Sequence, residues 1–438
     1  MTPSTLHVLI DAQHVGLLER SSGTVRLVYD DDYRRSPNAT PLSCSLPLAV
    51  QVHSGRVVRA FLDGLLPDSE AVRARWAREF RTRDQSFDLL DHVGEDCAGA
   101  VQFVREERLN QLDPGSVEWL DDAQIGAWMD LLRVDPTGWL QDHEHGHFSL
   151  AGAQAKCALL FREGRWGRPS GAIATTHILK PATPFLPDHE LNEHLSLTLA
   201  RAAGLASARS EIREFDGRRV VVIERYDRYS SATGSRRVHQ EDLCQATGRL
   251  PGDKYQASGG PSASDIARAI RTHSTDPSVD VERFLEALLF HWVIANTDAH
   301  AKNYSLLLSG AQVRLAPLYD LASTLPYANT APSERALGAL RSDRLNLAMS
   351  VAGAYRISEI RRRDWEQLFA QVEVDPATWV QRAMALVDRV DEQLPKVVES
   401  VASTFSSSMP GRFARSVRTA VGLRRAVLAG RPAQGRRR

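Results

Sequence analysis

The rhythm of apolar and polar positions changes twice along the chain. Leu6 to Ile10 and Thr24 to Tyr29 are short β-type runs around a turn that contains Ser21, Ser22 and Gly23. Leu65-Leu66-Pro67-Asp68 closes one element, and Ser69 to Phe80 then takes helical spacing, with Trp76 and Phe80 four apart. Asp113-Pro114-Gly115 and Asp135-Pro136-Thr137-Gly138 are turn signals. From Phe148 to Phe161 apolar residues flank Ala151-Gly152-Ala153, which predicts strand, tight loop and strand. Thr176 to Lys180 is a further strand stopped by Pro181, and Val220 to Ile223 is a buried one. His189 to Ala203 is a helix with Leu191, Leu195 and Leu199 on its core face and Gly204 as its cap. Beyond Arg228 the pattern is mostly helical. Val281 to Ala295 is a long apolar helix, and Leu306–Leu308 with Val313–Leu315 form a hairpin around Ser309-Gly310-Ala311. Asp375-Pro376 is an N-cap and first helical residue for a long helix carrying Trp379, Leu386, Val390, Leu394 and Val397. No internal repeat is present.

Composition adds exclusions. A chain of 438 residues has room for two or three domains. Lys+Arg and Asp+Glu both total 54, so no net charge draws it to nucleic acid or an anionic membrane. Cys44, Cys97, Cys157 and Cys244 are scattered and form no C-x-x-C pair, which speaks against a disulfide framework or a zinc site and for a reducing cytoplasm. No apolar run reaches ~18 residues, and Asp11 interrupts the first one, so neither a membrane span nor a signal peptide is expected. His143, His145 and His147 read as a solvated loop. Arg412 to Arg438 reads as a solvated Arg-rich tail after a short helix.

The chemistry concentrates in Ile294 to Ser305. Asp298 and Asn303 stand five apart just after a buried helix, the interval by which a phosphotransferase catalytic loop places a base and a metal ligand. Asp298 is the expected base. Lys302 is the expected partner of the transferred phosphoryl charge, and His300 a support for the loop. Asp320, after the hairpin, is the second acid, and with Asn303 it gives oxygen ligands suited to magnesium. Upstream, Ser149 to Lys156 offers a loop whose small residues let N–H groups approach phosphate: Ala151, Gly152, Ala153, Gln154 and Lys156. It is not G-x-x-x-x-G-K-[ST], so it is no Walker A loop. Lys180, ending a strand, is the expected phosphate-binding lysine, with Glu193 its partner by order along the chain. Glu224 and Tyr226 are the expected hinge positions against adenine. Asp227 is assigned to the nucleotide ribose or to a helix cap.

These segments resemble the HipA family of bacterial toxin kinases. The resemblance rests on Ser149 to Cys157, Thr176 to Ala182, Asn192 to Leu205, Val222 to Arg228, His239 to Gly248, Thr297 to Asn303 and Pro317 to Ser323, in order across roughly residues 6–400. Pro41 to Leu48 and Phe61 to Glu70 resemble the family's accessory subdomain. The chain departs from the family pattern at Ala155, Cys157 and Ala299, where Glu, Thr and Gly are usual; none of these removes a proposed catalytic group. The resemblance implies an α+β, two-lobed protein-kinase-like fold with an N-terminal accessory subdomain and a mostly helical C-terminal lobe. The expected division is 1–140 accessory subdomain, 141–225 nucleotide-binding part, 226–405 helical lobe and 406–438 tail. It further implies ATP and Mg2+, a small HipB-like helix-turn-helix antitoxin partner, DNA contact only through that antitoxin, and a protein substrate such as an aminoacyl-tRNA synthetase. Ser149 falls on the family's autophosphorylated serine. A kinase of small molecules and a pseudokinase within a repressor complex are the alternatives.

Overall fold

The computed structural model describes residues 4–109, 115–140, 148–171, 173–183, 186–231, 234–328 and 342–431. The strands are β1 (Ser4–Ile10), β2 (Gln13–Ser21), β3 (Thr24–Tyr29), β4 (Val52–Ser54), β5 (Val101–Val104), β6 (Val117–Leu120), β7 (Cys157–Arg162), β8 (Arg165–Pro169), β9 (His177–Pro181), β10 (Ser210–Phe215), β11 (Arg218–Glu224), β12 (Arg228–Ser231), β13 (Gly234–Arg237), β14 (His239–Asp242), β15 (Ser305–Ser309), β16 (Gln312–Leu315), β17 (Asn346–Val351) and β18 (Ala354–Arg356). The helices are α1 (Asp31–Arg35), α2 (Arg56–Leu65), α3 (Glu70–Glu79), α4 (Ser86–Val93), α5 (Glu106–Leu109), α6 (Asp122–Val134), α7 (His189–Ala202), α8 (Leu243–Ala246), α9 (Ala263–His273), α10 (Pro277–Ile294), α11 (Arg362–Gln371), α12 (Pro376–Ala402) and α13 (Met409–Leu428).

Two hydrophobic cores organise these elements. One is built from residues between Leu6 and Val222, the other from residues between Leu191 and Leu428. The first holds a sheet in the order β4-β3-β2-β1-β5 and a second in the order β10-β11-β9-β7-β8-β6. In this second sheet β9 is central. Its Leu179 faces Val222 on one side and Cys157 on the other, and Lys180 pairs with Val221. The strand is held on both edges up to Leu179, and Lys180 itself on the β11 edge, which restrains a group that must not wander. The second core is helical and surrounds α10. That helix is apolar on nearly every face and is buried accordingly. It ends at Ala295 in the left-handed region (φ 50°), which turns the chain sharply into the segment of Asp298. Asp375 caps α12 by accepting from the Thr378 N–H at 2.8 Å, with Pro376 inside the first turn.

The structure departs from the sequence reading in three places. β2 was not anticipated; it lies between the two runs that were, and pairs with both. The first arm of the loop at Phe148 is no strand. Ser149 and Gly152 make only isolated bridges, to Cys97 and Pro67. Arg412 to Arg438 was expected as a solvated tail after a short helix, but residues 409–428 form a 20-residue helix that packs on the core. Its Phe413, Val417, Val421 and Leu428 are buried, and the Arg424 guanidinium lies 5.0 Å from the Trp292 ring. His143, His145 and His147 and the last seven residues lie outside the described residues.

Candidate active site

A cavity of about 930 Å³ lies between the two cores and takes its lining from both. At one end, Lys180 Nζ donates to Glu193 Oε1 at 2.6 Å and to Asp320 Oδ1 at 2.7 Å. Lys180 comes from the central strand and Glu193 from α7, the next helix, so the pairing expected from chain order is a direct contact. Asp320 is in the left-handed region (φ 55°), a conformation a non-glycine residue adopts only when its surroundings impose it. Those surroundings are visible. Asn192 Nδ2 donates to Ser323 O at 2.7 Å, its Oδ1 accepts the Ser323 N–H at 3.0 Å, and Ser323 Oγ donates to Ile294 O at 2.6 Å. The stretch after Asp320 is thus tied to both α7 and the end of α10. Lys180 holds the Asp320 carboxyl well below the usual carboxylate range, with burial opposing. Although burial works against the charge, Asp320 and Glu193 keep the Lys180 ammonium above its ordinary value. Asp320 still shows 41% of its side chain to solvent, so it opens on the cavity rather than into the core.

Asp298 and Asn303 face the same cavity. Asn303 Nδ2 donates to Asp298 O at 2.6 Å, which closes the segment into a tight loop; its amide oxygen has no hydrogen-bond partner among the described residues. The Asp298 carboxylate is 59% exposed and accepts from the Tyr255 hydroxyl. His300 packs edge-on against Tyr255, with ring centroids 4.9 Å apart. Its Nε2 is 3.9 Å from Asp298, too far for a hydrogen bond. Burial lowers its pKa, with Asp298 opposing. Lys302, expected to face the phosphoryl group, lines the cavity but pairs with a carboxylate. Its ammonium is 3% exposed and lies 2.6 Å from Asp68 and 4.0 Å from Asp242.

The loop of Ala151, Gly152, Ala153, Gln154 and Lys156 lines the cavity opposite. Lys156 Nζ donates to Ala151 O at 2.6 Å and sits above the Trp139 ring. Burial first, then the Lys180 charge, push it down to about 8. Gly152 takes φ 105°, a backbone conformation that favours glycine, and the space beside its Cα is occupied by Lys156 Nζ. Ser149 is fully buried, its hydroxyl donating to Leu65 O at 2.8 Å. Glu224 ends β11 and lines the cavity, as does Tyr226, whose hydroxyl meets Gln240.

Asp227 caps no helix, since β12 follows it directly. Its carboxylate accepts from Arg225 at 2.9 Å, from the Gly99 N–H at 2.7 Å and from Gln240 at 3.1 Å, and is 2% exposed. Most of its acceptor capacity is committed to protein, yet the residue still lines the cavity. Sequence reasoning also missed Asp68, Tyr255, Lys254, Asn192 and Ser323. Asn192 alone carried a signal, as a polar residue among the core leucines of α7. The others reach the site from distant parts of the chain.

Fold and site together define a two-lobed, protein-kinase-like α+β protein. Residues 148–401 match the HipA-like C-terminal domain and residues 6–104 the HipA N-terminal domain. The chain belongs to the HipA family of kinases. It is 35% identical over 425 residues to the putative kinase Y4mE of Sinorhizobium fredii, covering 95% of this chain and 97% of that one. It is 28% identical to the serine/threonine-protein kinase toxin HipA of Shewanella oneidensis, over 74% of this chain and 77% of the relative. A chain in the solved complex of the Shewanella oneidensis MR-1 toxin–antitoxin system, with HipA, HipB and its operator DNA, superposes at TM-score 0.82. The identity is 21%, over 97% of this chain and 98% of that one. Among the described residues no helix is long and apolar enough to cross a membrane.

Proposed function

We propose that the protein moves the γ-phosphoryl group of ATP to a serine or threonine hydroxyl of a protein, as the toxin of a toxin–antitoxin pair. The observation that carries this reading is the convergence of Lys180, Asp320 and the Asp298–Asn303 loop, from three separate stretches, on one cavity, with Glu193 of α7 paired to Lys180. Asp298 takes the proton of the acceptor hydroxyl as its oxygen bonds to phosphorus, and the bond to the ADP oxygen breaks. Lys180 and the N–H groups of the 151–154 loop hold the phosphates. The backbone at Glu224 to Tyr226 meets the adenine edge. Among the described residues no cluster of three or more His, Cys, Asp or Glu side chains forms a metal site of its own. The free Asn303 amide oxygen and the Asp320 carboxylate are the donor set magnesium takes when phosphate and water complete its shell. When bound there, the ion neutralises charge between the phosphates. The partner is a HipB-like helix-turn-helix antitoxin, in keeping with the complex formed by its structural relative. An aminoacyl-tRNA synthetase is the expected class of substrate. Ser149 is the proposed site of self-inhibiting autophosphorylation: a phosphate there cannot stay in the buried niche under Leu65, so it would displace the loop.

The test is intact-mass analysis after incubation with ATP and magnesium, beside Asp298→Ala. The expected result is a phosphate-sized gain at Ser149 in the parent chain, and a rate lower by about 10²–10⁴-fold in the variant. ATP binding without any Asp298-dependent transfer, to itself or to a protein acceptor, would overturn the reading and favour a pseudokinase; transfer to metabolites only would make it a small-molecule kinase.

A further inference from the structure

Leu65 to Asp68, the link between α2 and α3, belongs to the N-terminal core yet touches both working loops. Toward the nucleotide loop, Leu65 O accepts the Ser149 hydroxyl at 2.8 Å, Pro67 bridges Gly152, and the Asp68 N–H donates to Gly152 O at 3.1 Å. Toward the catalytic segment, one Asp68 carboxylate oxygen accepts from Lys302 Nζ at 2.6 Å and the other from Lys254 Nζ at 2.7 Å. Lys302 lies inside the catalytic segment. Lys254 reaches it twice: its carbonyl accepts the Ala301 N–H at 3.2 Å, and its neighbour Tyr255 donates to Asp298. From these contacts we infer that Asp68 is a positioning residue, which couples the seating of the nucleotide loop to the placement of the catalytic segment around Asp298.

The physics is that of a shared counterion. Asp68 is 11% exposed and Lys302 is 3% exposed, so neither is well solvated. Burial pushes the Asp68 carboxyl up, but Lys302 and Lys254 outweigh it and hold the group at about 2, ionised at any working pH. Both oxygens are occupied, and the same residue's N–H is bonded to the loop. If the loop leaves and the link shifts with it, two lysines lose their common partner together. A buried charge stripped of its partner is strongly unfavourable, so the loop and the catalytic segment should move together. The effect on rate rests on the phosphotransfer reading above; the coupling itself does not.

Asp68→Asn and Asp68→Glu are compared with the parent chain by ATP affinity, by Asp298-dependent transfer rate, and by amide hydrogen exchange over residues 149–156 and 298–303. For Asp68→Asn the expected result is a transfer rate about tenfold lower at saturating ATP, a much smaller change in ATP affinity, and faster exchange in both segments. Asp68→Glu, which keeps the charge, should recover most of the rate and the protection, and it tests the inference even if Asp68→Asn does not fold. Exchange that quickens in neither segment or in only one, or an unchanged transfer rate in a chain that is active, would overturn the inference. If the parent chain itself shows no Asp298-dependent transfer, the phosphotransfer reading fails, and the exchange data alone decide the coupling.

Discussion

Two buried ion clusters flank the cavity, and they differ in one respect. Asp96 and Asp227 are enclosed by Arg225, Arg228 and Arg237, with Thr175 and the Gly99 N–H as further donors. Asp96 is 7% exposed on its side chain, against 41% for Asp320 in the Lys180 cluster. The first cluster is largely sealed, and it ties the N-terminal core at Asp96 to Gly99 to the hinge that follows β11. The second has the same short ion pairs but one open side, toward the cavity. The first has most of its acceptors committed to protein, although Arg225 and Asp227 border the cavity. The open cluster can exchange a protein partner for a phosphate or a metal ion.

The comparison can be broken most directly at Asp96. Asp96→Asn leaves three arginines short of one counterion, and urea unfolding should show a loss of about 3–5 kcal/mol, with ATP affinity little changed while the chain is folded. A small loss of stability would mean that the sealed cluster is not the fastening described. At Lys180 the balance should invert. Lys180→Met should slow phosphoryl transfer by about 100-fold or more, measured under the conditions used for Asp298→Ala, with a smaller effect on unfolding. Equal damage to both would erase the distinction.

Glu241 sharpens the comparison with the smallest effect. It is buried, and it joins the two cores by accepting from Ser43 Oγ and the Cys44 N–H. Burial, aided by Asp242, raises it to about 7 from 4.5, against the pull of its hydrogen bonds. Between those values the folded chain holds a proton that the unfolded chain has released. Its contribution to stability is therefore full below about 4.5 and is lost as pH rises through about 7. Glu241→Gln cannot ionise, so its stability should gain on that of the parent chain by roughly 2 kcal/mol between pH 5 and pH 8. Parallel stability curves for the two proteins would show that Glu241 is ionised in the fold.

What could be read from the sequence follows from how local each signal is. Lys180, Asp298, Asn303 and Asp320 were legible because strand ends and fixed intervals constrain them within a few residues. The pairing of Lys180 with Glu193 followed from chain order, since a helix after a strand packs back on it. The arginine partners of Asp227 were not legible as such, because a carboxylate beside a hinge looks alike in sequence whether it is paired or open. Asp68 was invisible as a site residue, because its lysine partners lie 186 and 234 positions away. The α13 stripe was legible and was passed over. Phe413, Val417, Val421 and Leu428 keep helical spacing, but the arginines between them suggested a solvated tail.

That last helix also bears on how the protein is made. The core around α10 includes Met409, Phe413, Val417, Val421 and Leu428, and is built from residues as far back as Leu191. The N-terminal core needs nothing beyond Val222. During synthesis the first unit can settle while the second is still missing a wall, because domains form as units from the N-terminus onward. The half that bears Asp298 stays incomplete until the ribosome has passed Leu428. A growing chain therefore carries a finished nucleotide-side core well before it carries a finished catalytic one, and its chemistry is withheld until translation of the helical half is over.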